Sequence, residues 1–181
     1  LEIDATGLVD YMRSADDRIR TLPPEVSEYE AFFAQQLARG SHVLHISISS
    51  GIKGSGYANA REAAKAFNNV TVVDSGQLSS GQGLLVMDAC AMAREGRALD
   101  QIVAGLEKAR DRIHTSFIVN SLDFLERAEL VKPRTAKIFN TLMIRPVIRL
   151  KNGGIGIGRI YLGTQERAWR KYIACELRAL T

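Results

Sequence analysis

The stretch His45-Ile46-Ser47-Ile48-Ser49-Ser50-Gly51-Ile52-Lys53-Gly54-Ser55-Gly56-Tyr57 constrains the fold more than any other part of the chain. An alternating apolar run stops at two hydroxyls, a glycine-rich turn follows, and an alanine-rich pattern of helical period begins. This is a strand, a loop and a helix N-terminus in succession. Hydroxyls and free backbone N–H groups at such a junction can hold an anionic head group without catalytic machinery. The junction therefore points first to ligand binding.

The rest of the chain repeats the alternation. Periodicity predicts a weakly amphipathic segment over Asp4 to Arg20, a break at Thr21-Leu22-Pro23-Pro24, and a helix over Glu28 to Ala38 with Tyr29, Phe32, Phe33 and Leu37 on one face. A strand over Val43 to Ile48, a helix over Ala58 to Phe67 and a short apolar strand over Val70 to Val73 come next. Ser79 to Arg94 reads as a helix apolar enough to be largely buried, and Leu99 to Arg112 as an amphipathic one. Further on, a strand is expected over Thr115 to Val119, helices over Ser121 to Ala128 and Arg134 to Met143, and a strand over Pro146 to Leu150. Lys151-Asn152-Gly153-Gly154 turns that strand into a hairpin with Ile155 to Tyr161, and a final helix covers Gln165 to Leu180. Strands alternating with helices imply an α/β fold, a largely parallel sheet with helices on both faces, followed by a C-terminal α+β portion. The expected division is 1–112 and 113–181.

Composition excludes several classes. The chain has 181 residues, 46% hydrophobic and 24% charged, with a net charge of +4 and basic residues scattered among acids. That is globular and only mildly basic, so nucleic acid is not the expected partner. Cys90 and Cys175 lie in apolar helical patterns without a CxxC pair; two free, buried thiols fit a reducing cytoplasm. No apolar run is long enough to enter and cross a bilayer. The first residues, Leu1-Glu2-Ile3-Asp4, lack an initiator Met, and the chain reads as a processed or excised piece.

A second hydroxyl-rich loop, Asp74-Ser75-Gly76-Gln77-Leu78-Ser79-Ser80-Gly81, follows the second strand and opens into the apolar helix. Ligands of open α/β sheets bind at the carboxyl ends of strands, where both loops fall. Taken singly, such serines often satisfy neighbouring backbone groups. Together the two loops describe an amphiphile site, with hydroxyls for the head and helices for the tail.

The motifs Thr21-Leu22-Pro23-Pro24, Ile48-Ser49-Ser50-Gly51-Ile52, Ala60-Arg61-Glu62-Ala63-Ala64, Val73-Asp74-Ser75, Gly81-Gln82-Gly83-Leu84-Leu85-Val86 and Ile144-Arg145-Pro146-Val147-Ile148 stand in order along the chain. In order and spacing they resemble the DegV family of bacterial fatty-acid-binding proteins. The resemblance implies a two-domain α/β fold holding one long-chain fatty acid, no cofactor and no catalysis. In that family a threonine loop and a Ser-Ser-Gly loop bind the carboxylate, and some members present the acid to a fatty-acid kinase. Thr21 and Ser50 match those positions, with Ser49 and Gly51 adjacent; Ser75 and Ser79 complete the expected ligand-binding set.

The chain departs from the family in four places. Its Ser-Ser-Gly loop is one residue longer and carries Lys53, a candidate replacement charge. Ala128-Glu129-Leu130-Val131 stands where the family has a Gly-Gly-Arg-Ile turn. The family's N-terminal strand ending in Thr-Asp-Ser, and its C-terminal histidine loop, have no counterpart here. Binding an acyl chain depends on none of these, because tail burial contributes roughly 0.8 kcal/mol per methylene; presentation to a kinase depends on them more.

Other chemistries fit less well. Gly153-Gly154-Ile155-Gly156-Ile157-Gly158 has Arg159 where a dinucleotide loop needs glycine, and it follows a hairpin turn. The histidines His42, His45 and His114 lie in or beside strands, with His45 and His114 expected near one another, and no third ligand at metal spacing. A serine hydrolase built on Ser50 would need a histidine base. The main alternative to lipid binding is a DegV-like regulatory or protein-interaction module without bound lipid.

Overall fold

A computed structural model describes residues 4–14, 22–119 and 143–178. Thr21, the expected 121–128 helix and all but the last residue of the 134–143 helix lie outside the described residues. Along the chain run α1 (Ala5–Ser14), α2 (Val26–Leu37), β1 (Val43–Ser47), α3 (Tyr57–Ala64), β2 (Val70–Asp74), α4 (Ser79–Arg94), α5 (Leu99–Arg110), β3 (Ser116–Ile118), β4 (Ile144–Lys151), β5 (Gly154–Leu162) and α6 (Gln165–Arg178). β1 and β2 form a parallel pair in register from Val43 opposite Val70 to Ser47 opposite Asp74. β3, β4 and β5 form a second sheet. Its bonds from Val119 N–H to the Pro146 carbonyl and from Leu150 N–H to the Thr115 carbonyl make β3 and β4 antiparallel. The fold is α/β with a parallel sheet and a later antiparallel one, as the element order implied.

Residues Leu22–Phe117 and Ile148–Gly158 form one compact unit. Its parallel pair has a core on each face, because side chains alternate along a strand. Leu44 and Ile46 of β1 meet Leu85, Ala89, Ile102, Leu106 and Ala109 of α4 and α5. On the other face Val43, Val70 and Val72 pack on Phe33, Ala60 and Ala63 of α2 and α3. Phe33 is fully buried, edge-on to His45 and Phe67. Burial pushes the His45 imidazole below its ordinary value. His114, by contrast, is exposed ahead of β3 in the other sheet, so the two histidines do not share a strand pair.

Local chemistry sets the element ends. The Glu28 carboxylate accepts the Glu25 N–H at 2.7 Å and starts α2 two residues before the sequence pattern does. Gly56 leads into α3 with φ +72°; a Cβ there would collide with the Tyr29 hydroxyl and sit 3.3 Å from Pro23. The Asn59 amide donates to the Pro24 carbonyl at 2.8 Å. The Pro-Pro segment is thereby tied to the start of α3.

Two expectations about burial are corrected. α4 buries only Gly81, Leu85 and Ala89, one narrow stripe at four-residue spacing. Leu84 and Met87 are 52% and 68% exposed, so apolar composition alone overstated how much of this helix is covered. The thiols are not buried either: Cys90 is exposed and Cys175 is half-buried.

The described parts of the second unit are α1, residues 118–119, 143–147 and 159–178. The Asp4 carboxylate caps α1 through the Gly7 N–H at 2.7 Å. Arg159 and Cys175 hydrogen-bond to one another, and Ala168 is fully buried.

Truncating the fully buried Phe33 leaves a void between α2, α3 and β1. Phe33→Ala is expected to lower stability by about 3–5 kcal/mol, read as a drop in the midpoint of urea unfolding at unchanged slope.

Candidate functional site

β1 and β2 run parallel, so their carboxyl ends lie side by side and deliver Ser49-Ser50-Gly51 and Asp74-Ser75 to one place. The centre of that place is Asp74, which the sequence reading left outside its ligand-binding set. One carboxylate oxygen accepts the Ser50 N–H at 3.1 Å and the Gly76 N–H at 2.9 Å. The other accepts the Ser50 hydroxyl at 2.5 Å. Burial alone would raise the Asp74 carboxyl. The Ser50 hydroxyl, the two amides and the Arg110 guanidinium outweigh it and hold the group below its ordinary value of 3.8.

Ser49 is fully buried. Its hydroxyl donates to the Gly153 carbonyl at 2.5 Å and accepts the Gly51 N–H at 3.3 Å. The β4–β5 hairpin thus brings its turn against the Ser-Ser-Gly loop. Asn152 and Gly153 have φ of 51° and 76°, the left-handed pair of a two-residue hairpin turn. The backbones touch so closely that a Cβ on Gly51 would lie 2.8 Å from the Gly153 carbonyl, and one on Gly153 would lie 2.7 Å from the Ser49 hydroxyl.

Ser75 is buried; its hydroxyl donates to the Gln77 carbonyl at 3.0 Å and accepts the Gln77 N–H at 3.0 Å. The Gln77 side chain, also buried, donates to the Ile113 carbonyl at 3.0 Å and accepts the Thr115 hydroxyl at 2.7 Å. A Cβ on Gly81 would strike that Thr115 hydroxyl. Ser79 is exposed at the start of α4 with φ +52°, and Lys53 is exposed on its loop. Ser49, Ser50, Gly51 and Ser75 therefore gather at the two strand ends.

Asp74, Gln77 and Gly153 were missed. For Asp74 the signal was an aspartate ending a strand before Ser-Gly, the pattern of a side chain that bonds the amide two residues on. Nothing local announces Gln77 or Gly153, whose partners lie 36 and 104 residues away. Among the described residues no group of three or more His, Cys, Asp or Glu is placed to hold a metal ion. No described helix is long and apolar enough to cross a membrane.

Gly153→Ala is expected to cost about 1–2 kcal/mol for the left-handed residue alone, more with the added contact on Ser49, measured as lost thermal stability. Asp74 is depressed in the folded state, so its contribution is full above the ordinary aspartate value and is lost as pH falls below it. Asp74→Asn is expected to flatten the acid limb of a stability-versus-pH curve.

The model of the family described as "Uncharacterised protein, DegV family" matches residues 1–174. A DegV domain-containing protein of Deinococcus radiodurans is 31% identical over 159 residues, covering 87% of this chain and 56% of the relative. The chain spans a little over half the length of the curated relatives it matches. A Thermus thermophilus structure described as "Fatty Acid Binding of a DegV family Protein" superposes with a TM-score of 0.83 at 29% identity, over 98% of this chain and 63% of that one. A Eubacterium eligens DegV family protein, loaded with heptadecanoic acid, shares the fold at 18% identity and a TM-score of 0.79, over 99% of this chain and 63% of that one. The chain belongs to the DegV family.

Proposed function

We propose that this protein binds one long-chain fatty acid, with its carboxyl group at the Ser49–Gly51 and Asp74–Ser75 loops and its tail along apolar helix surface. The observation that carries the reading is the convergence of both loops on the Asp74 carboxylate at adjacent strand ends. The likeness to the Thermus thermophilus fatty-acid-binding structure supports it. Ser79, at the start of α4, is the expected further contact; Thr21, which the family resemblance matches to a head-group position, lies outside the described residues.

α4 starts at the second loop and carries Leu84 and Met87 uncovered. Covering such side chains with hydrocarbon stabilises the complex by about 25 cal/mol per Å² removed from water. Flexible methionine suits a variable tail. Affinity comes chiefly from the tail and orientation from the loops.

The site binds rather than reacts. Ser50 donates its proton to Asp74, a carboxylate held below its ordinary value. General base catalysis works best with a pKa near the working pH, so this pair is a weak nucleophile–base couple. His45 is occupied in the aromatic cluster with Tyr29 and Phe33. Presentation of the bound acid to a fatty-acid kinase is the partner step that the family resemblance implies.

Mass spectrometry of an organic extract of the purified chain tests the reading. A stoichiometric long-chain acid is expected, reduced in the Leu84→Ser/Met87→Ser variant. An empty extract, together with no uptake of added hexadecanoic acid, contradicts it.

A further inference from the structure

We infer that Asp74 determines the specificity of the head-group site: by holding the Ser50 hydroxyl proton, it makes the loop a hydrogen-bond acceptor that selects a carboxylic acid still carrying its proton over an ionised carboxylate. The inference rests on the fatty-acid reading above and adds the chemical form of the ligand.

A serine hydroxyl has one proton to donate and two lone pairs. The hydroxyl protons of Ser49, Ser50 and Ser75 are committed to the protein. Ser50 gives its proton to Asp74 Oδ2, Ser49 to the Gly153 carbonyl and Ser75 to the Gln77 carbonyl. Several loop amides are committed as well. Those of Ser50 and Gly76 point to Asp74 Oδ1, and those of Gly51 and Gln77 to the Ser49 and Ser75 hydroxyl oxygens. What these hydroxyls offer a ligand is lone pairs.

The charges agree with the hydrogen bonds. Asp74 places a carboxylate directly behind Ser50. α5 contributes Arg110, whose Nη1 lies 3.4 Å from the Asp74 backbone carbonyl and whose Nε lies 3.6 Å from Asp111, so its charge is shared. Lys53 on the Ser-Ser-Gly loop is exposed to solvent. A second carboxylate at Ser50 would face the like charge of Asp74. A like charge within about 4–6 Å disfavours ionisation, and where two carboxylates share a site one of their pKa values is strongly raised. A protonated acid instead donates to the Ser50 oxygen or to Asp74 Oδ2, which accepts only the Ser50 hydroxyl among the contacts above. Asp74 itself is held in its ionised form by the Ser50 hydroxyl and the Ser50 and Gly76 amides, with Arg110 nearby, which together lower its carboxyl from the ordinary aspartate value.

The test uses the full chain, delipidated, with hexadecanoic acid and hexadecan-1-ol as probes in competition binding between pH 5.5 and 8.5. The alcohol keeps its proton throughout and serves as the neutral reference. For the native chain the ratio of acid to alcohol affinity is expected to fall about tenfold or more across the range. Asp74→Asn removes the charge facing the bound carboxyl group, so its ratio should change much less. Ser50→Ala keeps the charge, so it should retain the pH dependence while weakening the acid overall.

A native ratio that is flat or rises with pH overturns the inference, and so does an unchanged slope in Asp74→Asn. If Asp74→Asn does not fold, the native profile and Ser50→Ala decide between the same outcomes. If neither probe binds the native chain, the fatty-acid reading itself fails and takes the inference with it. Binding of both probes with no pH-dependent preference leaves that reading standing and removes only the role of Asp74.

Discussion

One carboxylate joins the two strand ends on which the site is built. Parallel pairing places Ser47 opposite Asp74, but pairing alone leaves the loops beyond it undirected. Asp74 directs them by accepting amides from both, Ser50 on one side and Gly76 on the other. Hydrogen bonds to a charged acceptor are shorter and roughly twice as strong as neutral ones. The same contacts that keep Asp74 ionised thus hold the Ser-Ser-Gly loop in shape, and the site's geometry and electrostatics have one origin.

The hairpin turn is the second constraint, and it acts through backbone rather than charge. Gly51 and Gly153 approach so closely that neither tolerates a Cβ without movement. Ser49, fully buried between them, has its polar oxygen satisfied by that approach. A buried hydroxyl without a partner is costly, so Ser49 and the Asn152-Gly153 turn depend on one another. Ser49 is in this sense a structural neighbour of the head-group position, while Ser50, exposed at the surface, is the hydroxyl a ligand meets.

Much of the fold was legible because it is written in local patterns. The alternating run before Ser49, the periodicity of Leu99 to Arg112 and the Asn152-Gly153 turn each carry their own geometry within a few residues. Burial was less legible. The composition of α4 reads as core, yet Leu84 and Met87 are uncovered, because sequence reports how apolar a face is and not whether anything lies against it. The serines were found because hydroxyls at strand ends are conspicuous. Their partners were not, since Gln77 meets Thr115 and Ser49 meets Gly153 only after the chain has folded. Direction was hidden too: a sequence shows that a hydroxyl is present, and only coordinates show to whom it donates.

The central claim is that a fatty acid places its carboxyl group where Ser50 and Asp74 meet. Carbon-13 NMR of the full chain loaded with carboxyl-labelled hexadecanoic acid addresses it directly. The account predicts a single bound carboxyl resonance, distinct from that of the free acid, that moves in both Ser50→Ala and Asp74→Asn. A bound resonance at the shift of a free carboxylate, unaffected by either substitution, would contradict it.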